Sequence, residues 1–181
     1  MISRRALIAA LALAPVSLHA GELTAHDFAF RAIDDGIIRL ADFAGQPVLV
    51  VNTASRCGFT YQYDQLQALY DAYRGQGLVV LGVPSGDFNQ ELATEAEVQY
   101  FCEVNFNLDF PMTAITPVRG TAAHPFYAWA ANDLGRSKAP RWNFHKYLVD
   151  GNGRLVGAWG SRTEPMSAPI RDEVEKLLGA G

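Results

Sequence analysis

The 181-residue sequence holds two cysteines, no run of lysine and arginine, and no long apolar stretch after residue 20. Each absence closes off a class. With a net charge of −4 and no basic patch, the chain lacks the electrostatic footprint of a nucleic-acid-binding protein. No basic amphipathic segment suits a membrane surface. The four histidines, His19, His26, His124 and His145, are scattered without metal-ligand spacing, and His124 before Pro125 reads as a helix cap or surface residue. Repeats, low-complexity tracts and linker-like segments are also missing from residues 21–181, so this stretch reads as one domain with a sizeable core.

The first twenty residues stand apart. Residues 1–5 carry two positive charges and no acid, Ala6 to Leu18 are almost wholly apolar, and Ala20 ends the run with a small residue. That is the pattern of a secretory signal peptide. An apolar run of 13 residues containing Pro15 is too short for a membrane anchor, which needs roughly 20 residues. The expectation is a cleaved signal over residues 1–20, an exported, periplasmic protein and no membrane insertion. Arg4-Arg5 after Ser3 hints at twin-arginine export, and no Cys follows Ala20 to be lipidated. Cleavage removes two arginines and no acid, taking the formal charge from −4 to −6.

Periodicity orders the remainder. Apolar positions from Phe28 to Ile33 and from Ile37 to Leu40 flank Asp34-Asp35-Gly36, a hairpin signature. Pro47 to Val51 and Leu78 to Val83 are continuous apolar runs, as in strands buried on both faces, and Pro84 is expected to stop the second. Leu66, Leu69, Tyr70 and Tyr73 share a helical face. Glu95 to Phe106 predicts a helix with Val98, Phe101 and Cys102 inward. Pro125 to Ala131 predicts a short helix, and Phe144 to Val149 with Leu155 to Trp159 a second hairpin. Ile170 to Leu178 predicts a closing amphipathic helix. The order describes a three-layer α/β/α sandwich with a mixed sheet and an N-terminal hairpin. The thioredoxin fold has this order, although periodicity alone does not separate it from other small α/β sheets.

Both cysteines, Cys57 and Cys102, fall after residue 20, where an exported protein ordinarily uses a pair as one structural disulfide. The surroundings of Cys57 favour another use. It lies in Asn52-Thr53-Ala54-Ser55-Arg56-Cys57-Gly58-Phe59-Thr60, between a buried strand and the following helix. A thiol there is expected to face free N–H groups at the helix start, with Arg56 adjacent, and both favour the thiolate. Gly58 permits close approach of a substrate. Thr60 occupies the place of the second cysteine in a Cys-x-x-Cys motif, which speaks against a thioredoxin-type disulfide oxidoreductase. A lone thiolate suits attack on a peroxide, with nearby donors to stabilise the departing oxygen.

From Phe28 to Leu178 the sequence resembles the glutathione peroxidase family, in its cysteine-containing, non-selenium, two-cysteine branch. Three blocks carry the resemblance: residues 52–60 around Cys57, Leu81-Gly82-Val83-Pro84-Ser85-Gly86-Asp87-Phe88-Asn89-Gln90-Glu91, and Trp142-Asn143-Phe144 with Lys146 and the strand to Asp150. The resemblance implies a site of Cys, Gln, Trp and Asn. Cys57, Trp142 and Asn143 match, whereas Asp87 stands at the Gln position. An ionised Asp87 beside the sulfur would raise the thiol pKa by like-charge repulsion; it is either protonated or turned away. Apart from the resemblance, Trp142 reads as a core aromatic and Asn143 as a turn residue.

The resemblance also implies that Cys102 is the resolving cysteine; its plain alternative is a small core residue beside Phe101. It implies hydroperoxide substrates, no bound cofactor, and an external thiol reductant, either a thioredoxin-like protein or glutathione, with glutathione poor. The short segment between Tyr127 and Trp142 lacks the assembly loop of tetrameric members, so a monomer or weak dimer is expected. Two rival functions share these residues: a redox sensor or thiol relay, and a non-enzymatic domain with a permanent disulfide between Cys57 and Cys102.

Overall fold

The computed structural model describes residues 22–179, so the segment read as a signal peptide lies outside the described residues. The chain begins with a short hairpin in which β1 (Ala29–Arg31) pairs antiparallel with β2 (Ile37–Arg39). At its turn Asp35 takes a left-handed φ of 65°, a conformation Asp tolerates because its short side chain can bond locally.

β3 (Val48–Thr53) and β4 (Val79–Pro84) are the two continuous apolar runs, buried at every position. They pair in parallel, with Val48 opposite Val79 and Thr53 opposite Pro84. Parallel neighbours need a crossover, which α1 (Gln62–Tyr73) supplies. Pro84, expected just beyond the strand, is its last residue. Because β4 is the outer strand of its sheet, the missing N–H is tolerated there. α2 (Glu95–Phe106) and α3 (Pro125–Asp133) follow. The antiparallel pair β5 (His145–Val149) and β6 (Leu155–Trp159) comes next, and α4 (Ala168–Leu178) closes the chain. β5 also pairs antiparallel with β3, giving the order β4-β3-β5-β6.

Alternation along the strands divides the core into two layers. Leu49, Val51, Val80 and Leu148 face α1, α2 and α4 through Leu66, Leu69, Val98, Cys102, Ile170 and Val174. Val50, Leu81, Val83 and Tyr147 face the hairpin and α3 through Phe30, Phe126 and Ala130. This is the three-layer sandwich with a mixed sheet that the element order predicts. Truncating the fully buried Leu66 or Leu69 to Ala removes about 2–5 kcal/mol of stability.

Two helix starts bear on the site. Thr94 and Glu97 form a reciprocal capping box that fixes where α2 begins. Of the three residues expected inward on α2, Val98 and Cys102 are buried, while Phe101 is only half-buried. At α3, His124 is a cap. Its Nδ1 accepts from the Phe126 N–H at 3.3 Å, and its ring stacks on Phe30 at 4.0 Å.

Candidate active site

The C-terminal end of β3 is gripped from both sides. Ser85 N–H donates to the Thr53 carbonyl at 3.0 Å, and Phe144 N–H donates to the Asn52 carbonyl at 2.6 Å. Asn52 Nδ2 donates to the Trp142 carbonyl at 3.1 Å. Beyond the sheet, Ser55 N–H donates to Glu91 Oε1 at 2.9 Å and Arg56 N–H to the Gln90 carbonyl at 2.8 Å. The next residue is Cys57, 4% exposed. The second and third sequence blocks therefore hold the backbone of the first, which delivers this cysteine.

Cys57 does not sit at the helix start. α1 begins at Gln62, and tighter turns fill the gap: Thr60 N–H bonds the Cys57 carbonyl at 3.1 Å, and Gln62 N–H bonds the Phe59 carbonyl at 2.9 Å. Gly58 and Thr60 are weak helix formers, which accounts for the delayed start. The donor that meets the sulfur is the turn N–H of Phe59, at 3.5 Å from Sγ. A Cβ added at Gly58 would meet nothing within 4 Å, so the approach over this residue is open.

The third block is shaped by a strained residue. Phe144 is fully buried at φ 59°, a left-handed conformation that costs a bulky residue about 1–3 kcal/mol. The turn into β5 separates the fates of its two predecessors. Trp142 stays 40% exposed, packs on Phe88 at 5.4 Å, and lines an open groove of about 400 Å³ with Phe59, Ser161 and Arg162. Asn143 is fully buried, donates Nδ2 to Gln90 Oε1 at 3.0 Å, and accepts at its carbonyl from Ser161 Oγ at 2.5 Å. Its Oδ1 is buried without a partner.

Asp87 is placed differently. Its carboxylate accepts from the N–H groups of Val118 at 2.6 Å and Arg119 at 3.0 Å, and none of its hydrogen bonds goes to Cys57. After Asp87 the chain turns back. Asn89, at φ 56°, donates its N–H to the Gly86 carbonyl at 2.9 Å, and Gln90 and Glu91 then meet the Cys57 loop. Burial raises the Glu91 carboxyl above its usual range, opposed by its hydrogen bonds to Ser55 and Leu92.

Cys102 lies in the same apolar layer as Cys57, and both are free thiols. It is 1% exposed. Burial, first of all, pushes the Cys102 thiol up to about 12, with the carboxylates of Glu91 and Glu103 adding to the shift and the neighbouring Tyr63 phenol opposing it.

The fully buried Lys146, on β5 between Val51 and Trp159, was legible only as a motif position. Its Nζ donates to Gln62 Oε1 and to the Thr163 carbonyl. Burial lowers this ammonium to about 7, opposed by the charge of Glu164. Gln62 Nε2 in turn donates to the Ser161 carbonyl at 2.6 Å. The start of α1, the 161–163 loop and Asn143 are thereby tied together. Among the described residues no group of three or more His, Cys, Asp or Glu is placed to hold a metal ion, and no helix is long and apolar enough to cross a membrane.

The loop after β3 presents one nearly buried cysteine, with no second cysteine three residues on, two residues before Phe59, which lines an open groove with Trp142; this suits a thiol peroxidase. The comparisons agree. A family model described as Glutathione peroxidase matches residues 25–131. The Glutathione peroxidase homolog BsaA of Bacillus subtilis (strain 168) is 43% identical over 152 residues, 82% of this chain and 94% of that protein. The Hydroperoxy fatty acid reductase gpx1 of Synechocystis sp. (strain ATCC 27184 / PCC 6803 / Kazusa) is 39% identical over 164 residues, 86% of this chain and 96% of that protein. The solved structure of Trgpx in apo form superposes with a TM-score of 0.71 at 33% identity, covering 88% of this chain and 97% of that one. A thioredoxin-family thiol:disulfide interchange protein from Chlorobium tepidum TLS, at 15% identity and a TM-score of 0.62 over 84% of this chain and 93% of that one, shares the fold. The chain belongs to the glutathione peroxidase family. It is a thiol peroxidase with a thioredoxin-like fold, acting on hydroperoxides with a thiol reductant.

Proposed function

We propose that Cys57 is the peroxidatic thiol, that Trp142 and Asn143 supply the polar groups around it, and that Cys102 resolves the oxidised form. The second block's grip on Ser55 and Arg56 and the third block's grip on Asn52, just ahead of an almost buried sulfur that meets the Phe59 N–H, support this most directly. The Cys57 thiolate attacks one peroxide oxygen and the O–O bond breaks. Cys57 becomes a sulfenic acid, and the departing oxygen takes up a proton as alcohol or water. The Cys102 thiol then attacks the sulfenic sulfur, the S–O bond breaks, water leaves and a disulfide forms. An external dithiol returns both cysteines to thiols by exchange.

In the closed fold Cys102 is a poor nucleophile, because the thiolate is the reactive form and burial disfavours it. Resolution therefore needs α2 to open locally. The helix is suited to this, since only Val98 and Cys102 are fully buried and Tyr100 and Val104 are exposed. A disulfide needs Cα atoms within about 7 Å. Closing the loop from residue 57 to residue 102 contributes roughly 4 kcal/mol at most, from which the disrupted helix subtracts. The resulting disulfide is an easily reduced one.

The groove beside Trp142, walled in part by Phe59, is open enough for organic hydroperoxides as well as hydrogen peroxide. A thioredoxin-like protein is the better reductant and glutathione the poorer, and the protein works as a monomer or weak dimer. Residues 1–20 carry it out of the cytoplasm as a cleaved signal. Peroxide consumption by the mature protein, with thioredoxin and glutathione systems side by side, tests the catalytic proposal. Turnover with thioredoxin is expected, and the absence of turnover with either system contradicts it. An N-terminus at Gly21 on protein from the periplasmic fraction tests export.

A further inference from the structure

The family's carboxamide position is filled by Asp87, whose carboxylate is engaged by Val118 and Arg119. A carboxamide nevertheless reaches the site from three residues later. The Gly86–Asn89 turn, with Asn89 left-handed, swings Gln90 back against the Cys57 loop. There its two ends do different things. The Gln90 carbonyl accepts from Arg56 N–H at 2.8 Å, and its side-chain Oε1 accepts from Asn143 Nδ2 at 3.0 Å.

The second bond has a consequence for Asn143. The terminal torsion of an Asn side chain is broad and roughly two-fold, so packing alone does not choose between its amide and carbonyl ends. The bond to Gln90 couples the two amides, so that with Oε1 presented by Gln90 only the NH₂ end of Asn143 can meet it. One N–H of Asn143 is thus committed, while its second N–H and its Oδ1 keep fixed positions. Oδ1 is buried and unpartnered, a situation that ordinarily costs free energy unless an acceptor there is used. Ser161 Oγ, bonded to the Asn143 carbonyl at 2.5 Å, holds the backbone of the same residue from the other side.

We propose that Gln90 is a positioning residue for Asn143, fixing which end of its amide faces the reacting thiol and peroxide while tying that orientation to the Cys57 backbone. This rests on Asn143 taking part in the peroxide step. The test is a double-mutant cycle on the second-order rate of peroxide reduction, with Gln90→Met, Asn143→Ala and the combination. Gln90→Met keeps length and apolar shape but removes the acceptor. A loss of about 10- to 100-fold is expected, below the roughly 10²–10³ for removing a preorganised donor outright because Gln90 acts through Asn143, and the double variant is expected to react no more slowly than Asn143→Ala alone. Gln90→Glu, which keeps an acceptor for Asn143 Nδ2, recovers most of the loss, with its pH–rate profile displaced to higher pH by the added negative charge. Losses that add in the double variant, or a wild-type rate for Gln90→Met, overturn the proposal. An Asn143→Ala variant at the wild-type rate instead removes the site reading beneath it. Thermal melting of each variant separates these results from misfolding, because Gln90→Glu and Gln90→Met are expected to differ in rate at similar stability.

Discussion

The Asp87 carboxylate accepts from the backbone N–H of Val118 at 2.6 Å, and the bond fastens the 117–119 loop to the end of β4. Its partner bond goes to Arg119 N–H, and the Arg119 guanidinium lies 4.8 Å over the Phe88 ring, which packs on Trp142. Asp87 therefore bears on the site through the aromatic floor beneath Trp142, and its own carboxylate is occupied elsewhere.

Asp87→Ala should act on stability before it acts on chemistry. It leaves the N–H of the buried Val118 without its acceptor, a loss of about 1–3 kcal/mol, while the exposed Arg119 N–H turns to water. Denaturant melts should show that loss while the peroxide rate stays near wild type. A large rate loss at unchanged stability would return Asp87 to the reacting centre.

Trp142→Phe and Asn143→Ala are expected to slow peroxide reduction. Removing one preorganised donor from an oxyanion-type site costs about 10²–10³ in rate, and smaller losses are expected here because thiolate attack is intrinsically easier. Stopped-flow rates for both variants give the answer, and wild-type values for the pair would mean that the site is drawn wrongly.

Cys102→Ser should react once with peroxide and then stall with a thioredoxin-type reductant. A single-turnover burst followed by no steady-state rate is the expected trace. Full thioredoxin-driven turnover would make Cys102 a core residue only.

The pH dependence of stability follows from two buried bases on β5. Burial, with help from the charges of Lys146 and Lys138, lowers His145 to about 4. The unfolded chain, with its histidine near 6.5, then binds the extra proton as pH falls from about 6.5 to 4, so stability is lost across that window, by up to about 3 kcal/mol. Lys146, lowered to about 7, works in the same sense at higher pH. The unfolded lysine holds a proton that the folded one gives up between about pH 7 and 10.4, so stability rises across that range. Urea melts from pH 4 to 9 should show stability climbing with pH. His145→Phe should flatten the acid limb and Lys146→Met the alkaline one. Unchanged slopes in the two variants would show that these groups titrate normally.

Much of this was legible in the residues. Strand and helix order follows from period, because β3 and β4 are unbroken apolar runs and α4 is amphipathic, and the boundaries of α2 fall where Thr94 and Asn107 cap it. Cys57, Trp142 and Asn143 are singled out in the sequence by their blocks, and Phe144, next to Asn143, bonds Asn52 in the Cys57 block. Gln90 was not legible, because its place depends on the left-handed Asn89 turn, which no periodicity encodes. Phe144 at φ 59° contradicts the preference of an aromatic residue and is held there by tertiary contacts, among them its N–H bond to Asn52. Lys146 sits at a strand position where a charge ordinarily signals solvent. The acceptors that bury it, Gln62 and Thr163, come from far along the chain.

The central claim is that the chemistry belongs to the Cys57 sulfur. It is tested most directly by the rate at which folded Cys57→Ser protein, with Cys102 intact, consumes hydroperoxide in the presence of excess thioredoxin system. A rate indistinguishable from the uncatalysed background, with circular dichroism and melting like those of the wild type, is the predicted result. A folded variant that keeps a substantial fraction of wild-type turnover would contradict it.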